Sequence, residues 1–251
     1  MRYFIELSYF GKAYHGWQNQ PNAISVQQMI EESLSKVLRN KIEITGAGRT
    51  DAGVHAKQMF AHFDFTEKLD EEILVYKLNS MLPKDIAIAN IFEVTEDAHA
   101  RFDAVSRSYA YQIIQKKSAF EFGNSWFVNQ ELDIEKMNEA SDVLLNYKDF
   151  KSFSKTRTDV KTFDCDITEA KWISEEDHLI FTISADRFLR NMVRAIVGTL
   201  VEIGQNKYPV AHMKEVIESK DRSIAGASVP AHGLYLTGIT YPDSIFKMNG
   251  E

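Results

Sequence analysis

At 251 residues, with 44% apolar and 26% charged side chains, the chain has room for one large domain or two small ones, each with a core. No apolar run approaches the roughly 20 residues of a membrane span, and the alternating opening MRYFIELSYF reads as a strand and not as a signal peptide. The net charge of −7 argues against a general polyanion binder, and the single cysteine, Cys165, excludes an internal disulfide or thiolate cluster and suits a reducing cytoplasm.

A strand over 2–10 is followed by a loop rich in Gly, Asn and aromatics, GKAYHGWQNQPNAI. Ser25, with Gln28 three residues on, predicts the N-cap of a helix carrying Val26, Met29, Ile30, Leu34, Val37 and Leu38. IEITGAG predicts a second strand and QMFAHFDF a third, with apolar residues on alternate positions. EEILVYKLNSML is a short helix stopped by Pro83, and 86–94 a fourth strand. The order β-α-β-β-α-β is the signature of a ferredoxin-like unit.

The second half reads alike. Strand 106–115 leads to a helix over 133–147, strands near 163–173 and 179–185, and a long helix over 186–204. A helix over 210–220 and a strand over 234–241 close the chain. The expected class is α+β, two ferredoxin-like halves with antiparallel sheets meeting at a central cleft, divided into 1–103 and 104–251. No sequence repeat and no Pro/Ser-rich linker separates them.

Local charge departs from the total. Residues 101–117 carry a net +3 and residues 186–194 a net +2, whereas 70–73 and 175–179 are acidic. Phosphate binding depends on such local cations, although a scatter of solvated side chains gives the same tally.

The stretch ITGAGRTDAGVHAKQMFAHFDF (44–65) sets Asp51 between glycines at the mouth of a strand. It lacks the Gly-Lys-Ser/Thr of a phosphate loop and is no dinucleotide fingerprint. Three readings remain. Asp51 is a turn or capping acceptor; or Asp51, His55 and His62 are metal ligands, although their spacing fits no helical or hairpin ligand set; or Asp51 is a catalytic carboxylate. The last needs an approachable, ionised group with a counter-charge, and Arg49 is a local cation.

GAGRTDAGVHA resembles the catalytic loop of the TruA family of pseudouridine synthases. Four further blocks agree in order: YFGKAYHGWQ (9–18), HARFDAVSRSYAYQI (99–113), RFLRNMVRAIVGTL (187–200) and DRSIAGASVPAHGLYL (221–236). The resemblance covers nearly the whole chain. Phe10 stands where the family usually has Asp, and Lys57-Gln58 where it usually has small residues.

The resemblance implies isomerisation of uridine to pseudouridine at positions 38 to 40 of the tRNA anticodon arm, with no cofactor and no metal, by a cytoplasmic homodimer with tRNA bridging the subunits. Asp51 is then the catalytic carboxylate, Tyr109 the base or a ring stacked on uracil, and Arg194 the cation paired with the carboxylate. Strand periodicity alone does not choose between Tyr109 and Tyr111. Arg49 resembles the residue that fills the space of the flipped nucleotide. Arg187, Arg190, Asn191 and Arg194 are expected on one polar stripe of the long helix. Arg101, Arg107, Lys116, Lys117, Lys155 and Arg157 are candidate phosphate contacts, each equally readable as solvated charge. His55, His62 and His99 read as structural hydrogen-bonding histidines. Two rivals stand beside this: a noncatalytic RNA-binding protein, and a metal-dependent hydrolase using Asp51, His55 and His62.

Overall fold

The computed structural model describes residues 1–156 and 160–247, so Arg157 lies outside the described residues. The chain divides into two compact units, Met1–Val105 with Leu236–Glu251, and Ser106–Tyr235. The fold is mixed α+β, with five α-helices and nearly all strand pairs antiparallel among the described residues.

In the first unit β1 (Arg2–Tyr9), α1 (Val26–Leu38), β2 (Thr45–Gly46), β3 (His55–Asp64), α2 (Glu71–Met81) and β4 (Ile86–Val94) follow in the expected β-α-β-β-α-β order. Strand β1 runs antiparallel between β3 and β4. A strand covered on both faces buries consecutive residues, and Tyr3, Phe4 and Ile5 are all fully buried. Phe4 and Phe60 meet the Tyr241 ring edge-on at 5.3 and 5.2 Å, and the Tyr241 hydroxyl donates to the Ala100 carbonyl.

The helices start where capping chemistry puts them. Ser25 Oγ accepts from the Gln28 N–H at 3.1 Å, and Asp70 accepts from the Ile73 N–H at 3.0 Å. The Gln28 side chain turns forward to Glu32 instead of back to the cap, so only half of a capping box forms. Leu82 is extended (ψ 150°), as the residue before Pro83 must be.

The second unit contains β5 (Ser106–Ile114), β6 (Trp126–Phe127), α3 (Ile134–Leu144), β7 (Ile167–Glu175), β8 (His178–Ala185), α4 (Met192–Gly204) and α5 (His212–Ser219). Strand β8 lies antiparallel between β5 and β7, and β6 adds a short parallel pairing to β5. The last strand, β9 (Leu234–Thr240), belongs from Leu236 onward to the first unit, beside β3.

Two expectations are corrected. The predicted helix 186–204 begins only at Met192, because Asn191 adopts a left-handed conformation (φ 68°) that no helix interior accepts. Its side chain is held there by Ser228 Oγ at 2.6 Å. Arg187, Arg190 and Asn191 therefore precede the helix and share no helical stripe with Arg194. The predicted strand over IEITGAG contracts to Thr45–Gly46, with the Ile44 N–H given to the Glu31 side chain instead of a strand partner; the Trp17 indole lies against Gly46, where a Cβ would sit 2.3 Å from Nε1.

Helix α4 buries every residue except Arg194 and Glu202. It is packed against the closing segment at two glycines: a Cβ on Gly198 would lie 2.0 Å from the Ala227 carbonyl oxygen, and one on Gly226 would lie 2.6 Å from the Thr199 nitrogen. The Gly226 N–H donates to Thr199 Oγ1 at 2.9 Å. Helix propensity alone favours alanine over glycine by about 1 kcal/mol. Here the backbone clash reverses the sign: Gly198→Ala is expected to destabilise by about 1 to 3 kcal/mol in urea unfolding.

Candidate active site

The loop carrying Asp51 is built against the loop that follows β1. Trp17 N–H donates to the Thr50 carbonyl at 3.4 Å, and Gly53 N–H to the Tyr14 carbonyl at 3.3 Å. This approach needs Gly16, which has φ +89° and whose Cβ would meet the Thr50 oxygen at 2.2 Å. Gly53, at φ +80°, lets the chain reverse, and Val54 N–H closes the turn on the Asp51 carbonyl at 3.2 Å. Asp51 itself is half-buried and Arg49 exposed. Gly48 is different in kind: a Cβ there would meet no atom within 4 Å. The fold gives no steric reason for that glycine, and the room beside it is open to a ligand.

The three histidines singled out from sequence serve the backbone. His55 is buried, accepts the Gly11 N–H on Nδ1 at 2.8 Å, and is stacked by Phe10 at 4.2 Å and 12°. Phe10, the departure from the family block, is thus part of the packing on His55. His62 accepts the Ala100 N–H at 3.1 Å, and His99 accepts those of Arg101 and Phe102. A ring nitrogen whose lone pair is spent this way is not a metal donor. The ligand set Asp51–His55–His62 does not form: among the described residues no group of three or more His, Cys, Asp or Glu could hold a metal ion. Burial also pushes the Cys165 thiol up to about 12, which leaves it a protonated core residue and no rival nucleophile.

Tyr109, Arg107, Lys116 and Arg194 belong to the second unit, whereas Arg49, Asp51 and Arg101 belong to the first. The ambiguity between the two strand tyrosines has a physical outcome. Tyr111 is fully buried, donates its hydroxyl to the Pro230 carbonyl at 2.8 Å, and has its phenol pushed upward by that burial. Tyr109 is half-buried, with Phe188 meeting its ring edge-on at 5.2 Å. Of the two, only Tyr109 keeps part of its ring exposed.

Arg194 sits on the first turn of α4, half-buried. Its Nε donates to the Val229 carbonyl at 2.7 Å while its own carbonyl accepts from Val229 N–H at 3.2 Å. The closing segment therefore fixes the root of the guanidinium. Segment 222–228 is organised by Arg222, which donates to the carbonyls of Ala225 and Gly226, both at 3.1 Å.

The candidate phosphate contacts differ among themselves. Arg107 donates to the Asp186 carbonyl at 2.8 Å. Lys116 is exposed but ion-paired with Asp177 at 2.9 Å. Arg101 is exposed, its guanidinium 5.7 Å from the Phe102 ring centre. Sequence reasoning missed Tyr9, Thr50 and Val229, whose contacts hold the site loops; a tyrosine on an alternating strand carries no mark that separates it from core.

Comparisons with known proteins show the family. The family model described as tRNA pseudouridine synthase matches residues 7–103 and 144–242. The chain is 54% identical to tRNA pseudouridine synthase A of Parabacteroides distasonis over 248 residues, covering 98% of both chains. It is 51% identical to the protein of that name from Porphyromonas gingivalis, covering 98% of this chain and 99% of the relative. A more distant relative of the same name, from Francisella tularensis subsp. holarctica, is 36% identical over 98% of this chain and 96% of its own length. The chain belongs to the tRNA pseudouridine synthase family, a class of isomerases that convert uridine to pseudouridine in tRNA.

His62 gives a test of the packing of the first unit. Burial, then the nearby Arg2 charge, lowers its pKa from 6.5 to about 4. The unfolded chain then binds the proton more readily, so the stability held in neutral His62 is complete above pH 6.5 and lost as the pH falls toward 4. The urea midpoint is expected to drop over that window, and to drop less in His62→Gln.

Proposed function

We propose that this isomerase acts on uridines at positions 38 to 40 of the tRNA anticodon arm, with Asp51 as its catalytic carboxylate. The observation that carries the reading is the build of the Asp51 loop. An aspartate on a turn anchored at residues 50 and 53, beside the open room at Gly48, is a charge held ready for an incoming group.

The chemistry fixes what the residues must do. The N1–C1′ bond breaks, the uracil turns, C5 bonds to C1′, the C5 proton leaves, and N1 ends protonated. Atoms and electrons balance within the substrate, so the reaction calls on no external oxidant, reductant or group donor. A carboxylate serves the first half by adding to, or electrostatically supporting, the electron-poor carbon. A base serves the second half, and Tyr109 is assigned that role together with stacking on the base. Arg194 is assigned as the cation supporting the catalytic charge. Because a stacked uridine hides N1 and C5, the nucleotide must leave the stem, and Arg49 is assigned to the space it vacates.

Arg101, Arg107 and Lys116 are assigned to phosphate contacts, Lys116 exchanging its exposed pair with Asp177 for the phosphate. We further propose that each half, 1–103 and 104–251, is ferredoxin-like, the first carrying Asp51 and the second Tyr109 and Arg194. The protein then works as a cytoplasmic homodimer. No helix among the described residues is long and apolar enough to cross a membrane.

Incubation with unmodified tRNA, followed by mass-specific mapping of pseudouridine, tests the reading. Asp51→Ala is expected to lower turnover by at least about 10³-fold while RNA binding persists, as loss of a reacting group does. Turnover within a few-fold of the parent removes Asp51 from the mechanism. Tyr109→Phe is expected to cost roughly 10²- to 10⁴-fold in turnover, the usual span of a lost acid–base group. Arg194→Ala is expected to cost about 10²-fold, as loss of one charge-stabilising donor does.

A further inference from the structure

We propose that Tyr9 and Thr50 form a positioning pair that orients Asp51, an inference resting on the assignment of Asp51 as the catalytic carboxylate. Tyr9 ends β1 and is only 4% exposed, so its ring is core; a phenylalanine would fill that place equally well. Its hydroxyl shares a 2.8 Å hydrogen bond with Thr50 Oγ1, the side chain immediately before Asp51. A buried hydroxyl without a partner would cost about 1 to 3 kcal/mol. The pairing therefore binds the hydroxyl to one spot on the loop.

Thr50 is held at two points. Its carbonyl accepts the Trp17 backbone N–H, with Gly16 allowing the approach, and its Oγ1 shares a hydrogen bond with the Tyr9 hydroxyl. The backbone bond limits translation of residue 50, and the side-chain bond limits its rotation about Cα–Cβ, where a β-branched residue has few rotamers. Downstream, Gly53 is fixed to Tyr14. Asp51 and Ala52 form the apex of a clamped turn, and loss of the Tyr9 bond would loosen one side of it while the Trp17 backbone bond remains. Misplacement of a reacting group by about 1 Å can cost about 10²-fold in rate, so a bond remote from substrate can matter to turnover without contributing to binding.

The test uses the full chain and unmodified tRNA transcript, comparing Tyr9→Phe, Thr50→Val, Thr50→Ser and the double variant Tyr9→Phe/Thr50→Val, with Asp51→Ala in parallel. Tyr9→Phe and Thr50→Val are each expected to lower kcat about tenfold or more, with KM for tRNA within about twofold. Thr50→Ser, which keeps the hydroxyl, is expected to retain most of kcat. The double variant is expected to be no slower than the worse single variant, since both remove one bond. A Tyr9→Phe enzyme with parental kcat, or single losses that multiply in the double variant, overturns the pairing. So does a change carried only by KM or by the unfolding temperature. If Asp51→Ala is inactive while Tyr9→Phe is fully active, the pairing fails and the carboxylate assignment stands. If Asp51→Ala turns over normally, both fail.

Discussion

The close passage of residues 14–17 along residues 50–53 is the constraint on which the candidate site depends. Two irregular segments, neither long enough for regular structure, satisfy each other's backbone groups there. Buried loop backbone is tolerable only when its N–H and C=O groups find partners. The passage is as narrow as it is because Gly16 has no Cβ and can hold φ +89°. Without it, Thr50 would stand off, Gly53 would lose Tyr14, and the apex carrying Asp51 would have no fixed base. Thus the aromatic segment after β1, distant in sequence, belongs to the loop as much as the aspartate does.

In the second unit the same device recurs at larger scale. Arg194 belongs to a helix otherwise apolar on nearly every side, so the helix is a core element that presents one cation near its N-terminal end. A positive charge near a helix N-terminus is disfavoured by the macrodipole. The cost, a few tenths to about 1 kcal/mol, is small beside the burial of eleven α4 residues, each large apolar one worth about 1.5 to 3 kcal/mol. Packing therefore places the arginine where local electrostatics would not. The carbonyl of Val229 and the glycine contacts at 198 and 226 keep it there.

Much of this architecture was legible in the sequence, for physical reasons that differ by element. The cap at Ser25, the strand over 86–94 and the stop before Pro83 follow from local chemistry, which short windows contain. The helix start at Met192 was not legible. The periodicity of 188, 189, 192, 193, 196, 197 and 200 continues through Asn191, and only a tertiary partner, Ser228, discloses the break. Likewise the approach of the Trp17 indole to Gly46 joins residues far apart in sequence and leaves no mark in the strand pattern. For the site, the GRTDAG turn marked Asp51, and block resemblance marked Tyr109 and Arg194. The contacts of Tyr9 and Val229 join residues 41 and 35 positions apart, a range at which alternation and helical spacing carry no signal.

The charge balance can be reconciled with a polyanionic substrate by looking at how cations are employed rather than how many there are. Among the basic side chains singled out from sequence, Lys116 is neutralised locally by Asp177, and Arg107 and Arg194 spend donors on main-chain carbonyls. A carbonyl fixes direction without cancelling charge, whereas a carboxylate cancels it. These carbonyl bonds thus fix the direction of the two guanidinium groups. Lys116 is an exposed ion pair of small energetic weight. A net charge of −7 is thus compatible with a tRNA substrate, because affinity for phosphate follows local cations and not the total.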